Sequence, residues 1–233
     1  MKIRDLSWFQ VEEYLRRDDR AVVPLGSTEQ HAYLSLLTDA ILAERVALDA
    51  AEPLGVPVYP ALPFGISSYF LGFPGTVSLG VDTYVRVIQD VLDSLAKGGF
   101  RRVLLVSGHG GNAPASAVAR DWSAGHAGMQ VRYYSWWDAP RTGKKVKEVD
   151  PVGMHASWTE NYPWTRLDGS AAPDVAKPPV DYPRLRLREA GQVREALGDG
   201  SFGGRYQRAD EEMLAIWDVA VAETREALEE GWL

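Results

Sequence analysis

The chain has 233 residues, enough to bury one large α/β core in preference to two small ones. Its formal net charge is −7, and its one basic cluster, Lys144-Lys145-Val146-Lys147, reads as a solvated loop, so nucleic acid and anionic membrane are disfavoured as partners. There is no cysteine, which excludes disulfides and thiolate metal sites. No apolar stretch has the length of a signal peptide or a membrane span, so a cytoplasmic location is expected.

Apolar runs alternate with helical patterns along the chain. Residues 21–25 (Ala-Val-Val-Pro-Leu) predict a buried strand, and 38–51 a helix capped by Thr38 or Asp39. Residues 56–62 predict a second strand, punctuated by prolines. Asp82 is placed to cap a helix whose apolar face is Val85, Ile88, Val91, Leu92 and Leu95, stopped by Lys97-Gly98-Gly99. The uninterrupted run 103–106 suits a central parallel strand covered on both faces. Asn112 then caps a helix through Trp122, and residues 129–136 form another strand. Residues 166–206, rich in Pro, Gly and Arg, read as irregular, wrapping the surface or reaching a neighbouring subunit. A long amphipathic helix over 210–231 has Met213, Leu214, Trp217, Val221 and Leu228 on its buried side. This order predicts a single three-layer α/β domain over 1–233, with a mostly parallel, doubly wound sheet and helices on both faces.

Three runs carry candidate chemistry. The first is Gly26-Ser27-Thr28-Glu29-Gln30-His31 through Thr38-Asp39, directly after the first strand. In extended backbone Glu29 and His31 point to one face, and Asp39 can close over the same point from the next loop or helix start. Oxygen and imidazole ligands suit zinc, manganese or iron(II), while a satisfied polar loop is the other reading of this run alone. The second run, Ser107-Gly108-His109-Gly110-Gly111-Asn112, follows the central strand, where open α/β sheets place their ligands. It lacks the lysine of a phosphate loop and the spacing of a dinucleotide fingerprint. The third is Met154-His155-Ala156-Ser157-Trp158-Thr159-Glu160, in which His155 and Glu160 do not share a helix face and could converge only through a loop.

Together these runs resemble the creatininase family of metal-dependent hydrolases. The resemblance covers nearly the whole chain and includes Phe73-Pro74-Gly75-Thr76 and, more weakly, Gly200-Ser201-Phe202-Gly203 through Glu211. It implies a pair of divalent ions (Zn, Mn or Fe), with Glu29 and His109 on one, His31 and Glu160 on the other and Asp39 bridging. It further implies proton transfer by His155 and assembly as a homohexamer. Creatininase proper has a glutamate two residues after the motif histidine; here that position is Gly111, and Glu160 looks like the replacement. The loop Ala32-Tyr33-Leu34-Ser35-Leu36 is one residue shorter than the family's usual run and lacks its histidine, so creatinine itself is not implied as the substrate.

The expected activity is hydrolysis of a small cyclic or linear amide. His155 and Glu160 are the catalytic candidates, and Ser67, Tyr69, Gly110, Trp136 and Trp158 the substrate-binding candidates. The alternatives are opening of a cyclic diketone at a carbon–carbon bond with the same metals, and a non-catalytic binding protein that keeps the metal cup.

Overall fold

Three apolar runs pair in parallel to form the central sheet: β1 (Arg20–Leu25), β2 (Arg102–Ser107) and β3 (Gln130–Ser135), in the order β1-β2-β3. The fold is a computed structural model and describes residues 1–185 and 187–233. Side chains alternate across the sheet, as the strand repeat of two requires. Ala21, Val23, Leu25, Val103 and Leu105 face one core, and Val22, Leu104 and Val106 the other.

Each core is closed by helices. After α1 (Trp8–Leu15) and β1 comes α2 (Thr38–Ala51), which packs on the second face through Leu42, Val46, Ala47 and Ala51. The first face is covered by α3 (Val81–Lys97), through Tyr84, Ile88, Leu92 and Leu95, and by α4 (Pro114–Gly125). Two further helices complete the layer on α2: α5 (Pro140–Val149) and the long C-terminal helix, Asp210–Glu229. The result is the expected three-layer α/β arrangement.

Several local expectations change. Residues 56–62 are not a ladder strand: Val58 makes isolated parallel bridges to Lys2 and Val22, and Leu62 one to Leu25. Pro57 and Pro60 lack the N–H groups a continuous ladder would need. The third strand ends at Ser135, and Trp136 already belongs to a 3₁₀ turn. Neither Thr38 nor Asp39 caps α2; the cap position is Leu37, and the Thr38 hydroxyl donates back to Ser35 O at 2.7 Å. The cap of α3 is Gly80, with Asp82 in the first turn. Asn112 does not cap α4; its side-chain amide donates 2.9 Å to Gly26 O and ties the loop after β2 to the loop after β1. On the C-terminal helix Leu214 faces solvent, and Ile216 and Ala220 fill the buried side instead.

The lysine cluster is not a loop but part of α5. No side chain of its own caps this helix. The buried carboxylate of Glu223, from the C-terminal helix, does so instead: it accepts from the backbone N–H groups of Arg141 (2.9 Å) and Thr142 (2.8 Å) and from the Thr142 hydroxyl (2.9 Å). Glu223→Ala is therefore expected to cost about 2–4 kcal/mol, since it strands buried donors at a helix start. Urea unfolding of the variant would measure this, and a loss under about 1 kcal/mol would mean apolar contacts alone dock α5.

Residues 166–206 are more ordered than expected. They contain β4 (Ala176–Lys177), α6 (Tyr182–Leu185) and α7 (Ala190–Leu197), and β4 pairs antiparallel with β5 (Gly204–Arg205). Glu189 and Gln192 form a capping box at the start of α7. A third apolar cluster, Phe70, Leu185, Val193, Leu197 and Phe202, packs this segment over the carboxyl ends of the strands. The C-terminal helix, α8 (Asp210–Glu229), follows this segment. No helix among the described residues is long and apolar enough to cross a membrane.

Candidate metal centre

The carboxyl ends of β1 and β2 each release a loop at the same end of the sheet, and the start of α2 lies between them. Close approach at Gly108 is what allows this: a Cβ there would stand 2.5 Å from Asp39 O. The loop after β1 is fixed by Glu29 N donating to Leu36 O (2.9 Å) and Gln30 N donating to the Thr76 hydroxyl (3.1 Å), which gives the Phe73–Thr76 stretch a role.

Asp39 is the centre of the cluster. Its Oδ1 lies 3.1 Å from His31 Nε2, its Oδ2 lies 2.9 Å from His109 Nδ1, and Oδ2 also accepts from the Ser27 hydroxyl at 2.7 Å. The remaining histidine nitrogens are tied to backbone: His31 Nδ1 is 3.1 Å from Glu29 O, and His109 Nε2 is 2.9 Å from Ile66 O. These outer contacts hold each ring with its free nitrogen toward Asp39. Glu29 Oε1 stands 3.4 Å from His109 Nδ1, and Glu160 Oε2 stands 3.8 Å from His31 Nε2.

Two triads with ligand atoms within 4.8 Å follow, Glu29–Asp39–His109 and His31–Asp39–Glu160, with Asp39 common to both; a third, Glu29–His31–His155, includes the remaining nearby histidine. The donor set fits divalent ions. Three carboxylates and two imidazoles converge in a buried pocket, and Glu29 Oε2 is buried without a hydrogen-bond partner.

The charges of the cluster are set by burial working against close opposite charges. Burial opposes charge on His31, but Asp39 and Glu160 outweigh it and push the imidazole up to about 10. His109 is likewise penalised by burial, yet Glu29 and Asp39 bring it up to about 9. Burial pushes Glu29 and Glu160 up to about 7, while the two imidazoles hold Asp39 far below the usual carboxylate range against its own burial. His155 moves the other way: burial, then the neighbouring His31, drives it well below its usual value.

Position 111 has no room for a side chain. A Cβ there would lie 2.0 Å from Ile66 O and 2.5 Å from His109 Nε2. Glu160 instead arrives from the 3₁₀ turn Trp158–Glu160, with Oε2 accepting from Ala156 N at 2.6 Å. The residues that follow His31 and His155, Ala32 and Ala156, both have positive φ (50° and 55°), so each histidine loop turns sharply beside the cluster.

A cavity of about 370 Å³ opens onto this cluster. Of the substrate-binding candidates, Tyr69, Gly110 and Trp136 line it. Ser67 lies behind it, fully buried, 3.3 Å from His109 Nε2. Trp158 is a core residue and not a wall of the cavity: it is fully buried and its indole donates to Val152 O at 2.9 Å. Sequence reading gave no role to Ser27, Thr142, Tyr162, Tyr182 or Phe202. The last four line the cavity. Ser27 and Phe202 at least lay within quoted runs, whereas Thr142, Tyr162 and Tyr182 had no local signal.

A three-layer α/β domain with a carboxylate–imidazole cup at its strand ends is an arrangement suited to holding divalent metal. Residues 4–228 match the family described as creatininase, creatinine amidohydrolase, and the chain belongs to the creatininase family. It is 29% identical to the creatinine amidohydrolase of Pseudomonas putida over 165 residues, 65% of this chain and 64% of that one. It is 40% identical to the mycofactocin precursor peptide peptidase of Mycolicibacterium smegmatis over 105 residues, 42% of each chain, and 31% identical to the 3-dehydro-scyllo-inosose hydrolase of Thermotoga maritima over 103 residues, 43% of this chain and 33% of that one. The matches thus span less than two thirds of these relatives. Among solved structures, a creatinine amidohydrolase (creatininase) shares the fold with a TM-score of 0.78 at 24% identity, covering 97% of this chain and 95% of that one.

Proposed function

We propose that the protein is a metal-dependent hydrolase of a small cyclic or linear amide. Glu29 and His109 would hold one divalent ion, His31 and Glu160 a second, and Asp39 would be shared. The observation that carries this is the position of Asp39, whose two oxygens face two different imidazoles at 3.1 and 2.9 Å. Bound divalent ions supply Lewis acidity, polarising a carbonyl and lowering the pKa of water. Creatininases of the same fold are described in manganese and zinc–zinc forms.

The chain's own residues do the rest. Tyr69, Trp136 and Phe202 enclose the substrate and exclude water. His155, lining the same cavity with Nδ1 3.8 Å from Glu29 Oε1, would hand its ring proton to the leaving nitrogen and be reprotonated by the attacking water, so the neutral imidazole ends as it began. The match to the inosose hydrolase favours a second reading, opening of a cyclic ketone, in which no nitrogen needs that proton. A homohexamer belongs to the proposal through the family resemblance.

Metal uptake is the first test. His31 and His109 are held protonated near neutrality without metal, so adding zinc to chelated protein at pH 7 is expected to release about two or more protons per chain. A pH-stat reads this directly. Zinc binding without proton release would mean that both imidazoles are already neutral before the ion arrives, and loss of binding in His31→Ala and His109→Ala would then be the test of the ligand set. The metal-loaded protein, screened against lactams, formamides and cyclic ketones, then separates the two hydrolase readings, and full turnover after chelation would sink both.

A further inference from the structure

Gln30 lies between two candidate ligands, and its side chain reaches His155. Its Oε1 accepts from Ala32 N at 3.1 Å, and its Nε2 donates to Gly200 O at 3.0 Å. Those two contacts fix which end of the amide is nitrogen. The same Nε2 stands 2.9 Å from His155 Nε2. An amide nitrogen donates and does not accept, so the imidazole nitrogen opposite it accepts. A neutral imidazole that accepts at Nε2 carries its hydrogen on Nδ1, the nitrogen that stands 3.8 Å from Glu29 Oε1.

The surroundings hold this arrangement. His155 is stacked on Phe70 with centroids 4.7 Å apart and is flanked by Phe202 at 4.9 Å, so the ring cannot turn over without moving both. Gly200 has φ +100°, and a Cβ there would lie 1.8 Å from Gln30 Oε1. One contact favours the opposite tautomer: Gln30 O lies 3.1 Å from His155 Nε2. That tautomer would bring a ring N–H against the amide N–H of the same residue, at the shorter of the two distances.

We propose that Gln30, braced by Gly200, is a positioning residue that holds His155 as the Nδ1–H tautomer and so keeps it a proton donor and not a metal ligand. His155 is close enough to Glu29 and His31 to form a ligand triad with them, but a protonated Nδ1 has no lone pair to offer an ion. The inference rests on the metal-hydrolase reading for the roles of Glu29, His31 and His155, whereas the tautomer itself can be measured without any substrate.

Gln30→Glu keeps the side-chain shape and replaces the donor by an acceptor, which forces a hydrogen onto His155 Nε2. Gly200→Ala displaces the same amide without adding charge. The ¹⁵N magic-angle-spinning spectrum of zinc-loaded, histidine-labelled protein reads out the tautomer, with only four histidines to resolve and His155→Ala to identify the signals. The natural protein is expected to show protonated Nδ1 and bare Nε2 at His155, and Gln30→Glu protonated Nε2. kcat in Gln30→Glu should fall about 10²–10³-fold with KM within about threefold, Gly200→Ala lying between. Protonated Nε2 in the natural protein overturns the proposal, as does a full rate in Gln30→Glu with the tautomer inverted. If Gln30→Glu loses zinc, the natural protein's spectrum and Gly200→Ala decide. Protein that shows the Nδ1–H tautomer but hydrolyses nothing retains the tautomer assignment and refutes the hydrolase reading.

Discussion

Replacing Asp39 by alanine is expected to abolish activity and remove both ions, not one. Of the two triads that make up the proposed pair of sites, Glu29–Asp39–His109 and His31–Asp39–Glu160, Asp39 alone belongs to both, with an oxygen within 3.1 Å of an imidazole in each. The loss should exceed the ~10²-fold typical of changes behind the ligands. The fold should survive, because Asp39 lies in the first turn of α2 and the helix docks through Leu42, Val46 and Ala47 further along. Its removal takes from the buried His31 and His109 their nearest carboxylate and leaves only the more distant Glu160 and Glu29, so some stability goes with it. Elemental analysis beside circular dichroism makes the measurement. Two ions retained in a folded variant would exclude the shared role.

His155→Ala is the second large effect. Metal content should stay, and the rate should fall about 10²–10⁴-fold, the usual scale of positioned proton transfer. The loss should shrink for substrates with good leaving groups, which need less protonation. The ring packs between Phe70 and Phe202, so its removal also leaves a cavity, and thermal unfolding must be followed in parallel. A loss independent of the leaving group, with both ions in place, would move His155 to substrate positioning and favour ring opening at carbon. A fall in metal content that tracks the rate would instead make it a ligand.

What was legible in the residues was what local pattern controls. The runs of β1 and β2 and the spacing of α2 and α3 announce buried elements, and Lys97-Gly98-Gly99 ends α3 where expected. Glu29, His31, Asp39 and His109 could be read as one constellation because parallel strands deliver their following loops to a common end. The failures have non-local causes. The cap of α5 comes from Glu223, far along the chain, so three lysines in four residues looked like a loop. Prolines broke up residues 56–62 despite their apolar character. Trp158 sits beside two site residues in sequence yet points into the core, because the 3₁₀ turn that presents Glu160 turns its neighbour inward. The convergence of His155 with Gln30 and Gly200 depends on three separate loops, and no spacing along the chain encodes it.

The absence of room at Gly111 has a consequence for folding as well as for chemistry. A glutamate there would have kept the candidate ligands within the first half of the chain; with Glu160 in the proposed set, a loop from the second half joins them. An ion held by Asp39 and Glu160 would close a ring of roughly 120 residues, the kind of long-range tie whose entropic benefit grows slowly with ring size. In a chain with no cysteine, such an ion would take the part that a disulfide plays in secreted proteins. A staple of this kind is reversible and its strength follows the logarithm of free metal concentration, so on the proposed function resistance to unfolding and readiness for catalysis would rise and fall together with metal supply.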